Sequence, residues 1–92
     1  MKYVILDGAS IASRRELYDA LESHMDLPDY FGRNLDALHD VLLHELLPAA
    51  PLTIEIENFD ALRAGLGEYA VGLRHMLRDV EREDDRFTVV FR

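Results

Sequence analysis

The sequence contains no cysteine, no tryptophan, one lysine and only three prolines in 92 residues. Without cysteine, disulfides, thiolate metal sites and thiol nucleophiles are all excluded. Positive charge is also scarce, with ten basic residues against eighteen acids and a net charge of −8. A compact acidic domain repels phosphate backbones, so direct nucleic-acid binding is not expected and a basic protein partner is easier to accommodate. Solubility alone also accounts for a charge of this size. Long apolar runs are missing too. The N-terminal run, Tyr3 to Leu6, spans four residues, too short for a signal-peptide core and far short of the roughly 20 residues of a membrane helix. The expected setting is the cytoplasm, with no membrane association.

The length allows one domain, residues 1–92, and 49% hydrophobic residues suffice for an ordinary core. Tyr3-Val4-Ile5-Leu6 followed by Asp7-Gly8 reads as a buried strand and a turn. Ser13 and Glu16 form a capping box, in which Ser13 accepts from the Glu16 amide and Glu16 reaches back, opening a helix from about Arg14 to His24. The segment Leu27–Arg33 cannot be helical throughout, because Pro28 breaks it and Gly32 marks a turn. Asn34 caps a second helix that runs to about Leu46 and is expected to stop at Pro48 and Pro51.

Leu52–Glu57 alternates strictly and is the clearest strand. Asn58 or Asp60 caps a short helical turn through Ala64. Leu66, Tyr69, Leu73, Met76, Leu77 and Val80 then share one stripe of a helix over about Leu66–Glu83, with Tyr69, Met76 and Leu77 as core. Phe87–Phe91 is a closing strand. The order β-α-α-β-α-α-β, with helical crossovers, predicts a small α/β domain with three parallel strands.

Candidate chemistry concentrates in Tyr30–Asp40. Leu35, Leu38, Val41, Leu42 and Leu46 share the arc that must face the core. Asp36 and Asp40 lie on a different face, one turn apart, with His39 at the border. Asp36 complements the helix dipole. Asp40 lies past the first turn, and two acids at i,i+4 cost a helix a few tenths of a kcal/mol. By spacing alone the segment fits two descriptions equally: a surface made for a cationic cleft, or a solvated acidic stripe with Tyr30 and Phe31 in the core. His24, His39, His44 and His75 are too scattered for a metal site, and His39 and His44 point about 140° apart on their helix. Asp40 with His44, and His75 with Asp79, read as surface ion pairs. Glu81, Glu83, Asp84 and Asp85, with Arg82 and Arg86, read as a solvated helix end. With no phosphate loop, nucleophile elbow or zinc-helix motif, neither an enzyme nor a cofactor is expected.

The run Leu27-Pro-Asp-Tyr-Phe-Gly-Arg-Asn-Leu-Asp-Ala-Leu-His-Asp40 closely resembles the signature of the barstar family of ribonuclease inhibitors. The resemblance extends over essentially the whole chain. It implies a three-stranded parallel sheet in order 1-2-3 with about four helices, and a stoichiometric inhibitor of barnase-type microbial ribonucleases. Such an inhibitor blocks the active site with the second helix and its preceding loop. The partner it implies is a basic extracellular or toxin ribonuclease, met by a monomer in a 1:1 complex. By residue, the resemblance assigns Tyr30, Phe31, Gly32 and Asn34 to the loop, and Asp36, His39 and Asp40 to the helix. Asp79 on the last helix is a further acid, and Asp40 stands in for a substrate phosphate. Two positions depart from the family pattern: His39, where tryptophan is common, and Phe31, where a second tyrosine is. A changed rim of this kind also fits an interaction module or antitoxin of the same fold with a different, non-ribonuclease partner.

Overall fold

The computed structural model describes residues 2–92. Three strands, β1 (Lys2–Asp7), β2 (Leu52–Glu57) and β3 (Phe87–Phe91), form one parallel sheet in the order β1-β2-β3. Cross-strand partners Val4, Ile54 and Val89 line up in register, as do Leu52 and Phe87, and all are buried on one face. Helices α1 (Arg14–His24), α2 (Leu35–Val41) and α5 (Glu68–Glu83) add Leu17, Leu21, Leu38, Val41, Leu73 and Leu77 to the same core cluster. This is the expected sheet-and-helix layering, in which each element buries its one apolar face against the next. Among the described residues no helix is long and apolar enough to cross a membrane.

Four places depart from the sequence-based expectations. Ser13 Oγ accepts from the Glu16 amide at 3.1 Å, but Glu16 returns to the Ala12 amide (2.8 Å), one residue further upstream than in a standard capping box.

Pro48 does not end the second helix. After α2 the chain widens into a π-helical segment, Leu42–Leu46, where the Leu47 amide donates five residues back to the Leu42 carbonyl. Pro48 then occupies the first turn of a short helix, α3 (Leu47–Ala49), where its missing N–H costs least. Termination falls to Ala50, extended at φ −167° immediately before Pro51.

The helix after β2 is longer than a turn. It spans α4 (Phe59–Leu66), and Gly67 at φ 62° separates it from α5, so the final helix begins at Glu68 rather than Leu66. Neither Asn58 nor Asp60 makes a side-chain cap; Asn58 Nδ2 instead donates to Asp7 at 2.9 Å.

Finally, of the polar residues that alternate along β2 only Glu57 lies in solvent. Central between two strands, Thr53 and Glu55 are both buried, and Glu55 accepts from the Tyr3 hydroxyl at 2.5 Å while pairing with Arg92 at 3.3 Å.

Candidate functional site

The loop joining α1 to α2 is built from its ends inward. The Met25 side chain is buried and its amide donates to the Leu21 carbonyl. Pro28 opens a turn closed by the Phe31 amide donating to the Pro28 carbonyl at 2.9 Å. The two aromatics then part. Phe31 enters the core, edge-on to Tyr18 with ring centroids 5.8 Å apart. Tyr30 is 71% exposed and its hydroxyl donates to Glu45 at 2.5 Å. That hydrogen bond, aided by desolvation, holds the Tyr30 phenol above its usual pKa, so it is a fully protonated donor near neutrality. Of the two rings that the solvated-stripe description places in the core, only Phe31 is there. Phe31 is a buried support, and the family departure at that position lies beneath the exposed rim.

Gly32 was expected to supply the turn geometry, but the left-handed backbone falls on Arg33 at φ 52°. Asn34, extended at φ −144°, caps α2 by accepting from the Ala37 amide at 2.8 Å, and its Nδ2 donates to the Gly32 carbonyl. Loop and helix are therefore fastened to each other before any partner arrives.

On α2, Leu38 and Val41 point into the core, which turns Asp36 and Asp40 outward about 6 Å apart along the axis. Among the described residues Asp36 has no ion-pair partner within 4 Å. Asp40, with a side chain 74% exposed, has only His39 Nδ1 at 3.7 Å. His39 leans away from the acids of its own helix and crosses to α5, with Nε2 2.7 Å from Glu83. Leu35 packs its tip against Gly72, so the same two helices touch on their apolar side. Asp79 lies one turn before Glu83 on α5 and pairs with Arg82.

The expected pairs Asp40–His44 and His75–Asp79 do not form. His44 sits in the π segment, whose wider turn rotates it off the stripe that a straight helix would give. Asp79 pairs instead with Arg82, three residues further along α5.

Two acids missed by sequence reasoning belong to this face. Glu83, read as part of a solvated helix end, anchors His39, and its i,i+4 spacing from Asp79 was the available signal. Glu45 closes a shallow groove of about 330 Å³ between the loop and α2, lined by Tyr30, Gly32, Asp40, His44 and Glu45. Its position depends on the π segment, for which the only sequence trace is Pro48 inside a helical pattern. Among the described residues no group of three or more His, Asp or Glu side chains is arranged to hold a metal ion.

The resulting arrangement is an exposed tyrosine beside two outward carboxylates, on a helix fixed by its cap and backed by acids of α5. It presents hydrogen-bond acceptors and negative charge together on one exposed face. A family model described as Barstar (barnase inhibitor) matches residues 1–92. A protein of Bacillus subtilis (strain 168) named "Putative ribonuclease inhibitor YrdF" is 35% identical over 91 residues, covering 98% of each chain. With the parallel 1-2-3 sheet and the capped acidic helix in place, these matches assign the chain to the barstar family.

Proposed function

We propose that this protein is a stoichiometric inhibitor of a barnase-type microbial ribonuclease and not an enzyme. The observation that carries the reading is Asp40: a carboxylate exposed on a rigid helix, without a permanent cation beside it. Entering the nuclease cleft, it replaces a substrate phosphate among the cationic side chains that bind RNA. There it accepts charge-assisted hydrogen bonds and presents no bond to cleave. Asp36 adds charge at the mouth of the cleft, and Asp79 and Glu83 extend the field across α5. Tyr30 supplies the flat amphipathic contact beside them.

Preorganisation by Asn34 and the core residues of α2 lowers the ordering cost of binding. The overall charge of −8 steers encounter with a basic enzyme. The partner is a basic ribonuclease, secreted or delivered as a toxin, met in the cytoplasm in a 1:1 complex. The relative named as a ribonuclease inhibitor supports the same reading.

The test is titration of the protein into barnase while following cleavage of a fluorogenic RNA. A linear fall to zero activity at one equivalent is expected. Full activity with the protein at micromolar excess would refute it. A second reading, the same surface serving a different partner, rests on His39, which presents an imidazole tied to Glu83 where the family commonly has tryptophan. Under it, His39→Trp would create barnase inhibition that the natural chain lacks.

A further inference from the structure

Arg33 stands between Gly32, in the loop, and Asn34, the cap of α2. The backbone there is left-handed, at φ 52°, a conformation that side chains other than glycine rarely adopt. Such a residue persists where its surroundings over-determine it. Here the side chain does so by crossing to α1. Its guanidinium donates to Asp19 at 2.5 Å and to the Arg15 carbonyl at 3.3 Å, and it pairs with Glu22 at 3.3 Å. It also lies 6.0 Å from the centre of the Tyr18 ring, the ring against which Phe31 packs.

Arg33 is thus bound on one side to the helix preceding the loop and adjoins, on the other, the residue that caps the acidic helix. We propose that Arg33 is the positioning residue of this surface: its fork onto Asp19 and Glu22 fixes the angle at which the loop leaves α1. Through Asn34 it sets where Tyr30, Asp36 and Asp40 point. The same two carboxylates neutralise Arg33, so an arginine can stand next to a face meant for a cationic partner without repelling it. The binding part of this proposal rests on the inhibitor reading above.

The proposal is tested with the full chain by amide hydrogen exchange and by kinetics against barnase. The loop amides to follow are Phe31, which donates to the Pro28 carbonyl, and Ala37, which donates to Asn34; Leu52, which donates to the Arg86 carbonyl in the sheet, is the control. Asp19→Asn leaves the loop sequence untouched and weakens the fork. Exchange at Phe31 and Ala37 should speed up about fivefold, the upper end for a half-exposed ion pair, with Leu52 unchanged.

Arg33→Gly separates anchoring from backbone relief. It removes the left-handed penalty, so a role confined to backbone conformation would slow exchange. A positioning role requires exchange to rise and barnase dissociation to rise by a similar factor, with the association rate not slowed. Arg33→Lys, keeping the charge but not the fork, should fall between wild type and Arg33→Gly.

Unchanged loop exchange in Asp19→Asn, or slower exchange in Arg33→Gly, would overturn the assignment. A wild-type chain that fails to bind barnase would strike down the inhibitor reading alone, since the exchange measurements judge Arg33 without the nuclease.

Discussion

Replacing Asp40 by alanine should move stability and binding in opposite directions. In the free protein the Asp40 side chain is 74% exposed, and its nearest charged neighbour is His39 Nδ1 at 3.7 Å. At that exposure and distance the contact contributes little to stability. Its carboxylate does repel Asp36 one turn away, a cost of about 0.2–0.5 kcal/mol. Aspartate is also a poorer helix former than alanine by up to about 0.7 kcal/mol. Asp40→Ala should then stabilise the free chain by about 0.5–1 kcal/mol, or roughly 2–8 °C in Tm for a domain of this size. In the complex the carboxylate is desolvated among cations, and truncating one member of such a set costs about 2–5 kcal/mol. That corresponds to a loss of roughly thirty- to four-thousand-fold in affinity. The assay pairs urea denaturation of the free protein with tight-binding inhibition of barnase for the same variant. A variant destabilised by more than about 1 kcal/mol would place Asp40 in the structural framework. A stabilised variant with unchanged inhibition would remove it from the interface.

The hydroxyls of Tyr18 and Tyr69 lie 2.5 Å apart, and Tyr18 is only 2% exposed. Tyr69→Phe should leave the buried Tyr18 hydroxyl without its partner and cost about 1–3 kcal/mol in urea denaturation; a change under about 0.5 kcal/mol would mean the pair contributes nothing. A methyl group at Gly8 would sit 2.5 Å from the Asn58 carbonyl oxygen and 2.9 Å from that of Glu57, where the ends of β1 and β2 meet. Gly8→Ala should therefore lower stability by about 1–3 kcal/mol or more, and a thermal midpoint like wild type would refute this contact. The Asp84 carboxyl is held down to about 2, chiefly by the Arg86 guanidinium and then by the Arg86 amide. Because the folded value lies below the unfolded one, its stabilisation is present above about pH 4 and is lost as pH falls toward 2. The stability gap between wild type and Asp84→Asn should close over that window, and a gap independent of pH would contradict the assignment.

Periodicity made the framework legible. The short apolar run at Tyr3–Leu6, the alternation at Leu52–Glu57 and the closing strand at Phe87–Phe91 all appear where expected, because a strand's burial pattern is written locally. The Ser13 and Asn34 caps were equally readable, since each serves an amide three residues away. The π segment was not, because a widened turn depends on what packs around it, and Pro48 looked like a stop where it is a tolerated first-turn residue. Glu55 escaped for a related reason. Alternation identifies two faces of a strand, but whether the polar face meets solvent depends on the neighbours, here Tyr3 and Arg92.

For the candidate site, sequence alone determined which carboxylates face away from the core: the helical period that buries Leu38 and Val41 necessarily turns out Asp36 and Asp40. It also determined where α2 begins. Only the tertiary structure decided which of the two adjacent aromatics is exposed, because Tyr18, thirteen residues before Phe31, provides the surface that takes it in. Only tertiary structure joined His39 to Glu83 across 44 positions and Arg33 to Asp19 across fourteen. Those contacts depend on how α1, α2 and α5 lie over one sheet, and no local pattern along the chain encodes a distance between helices.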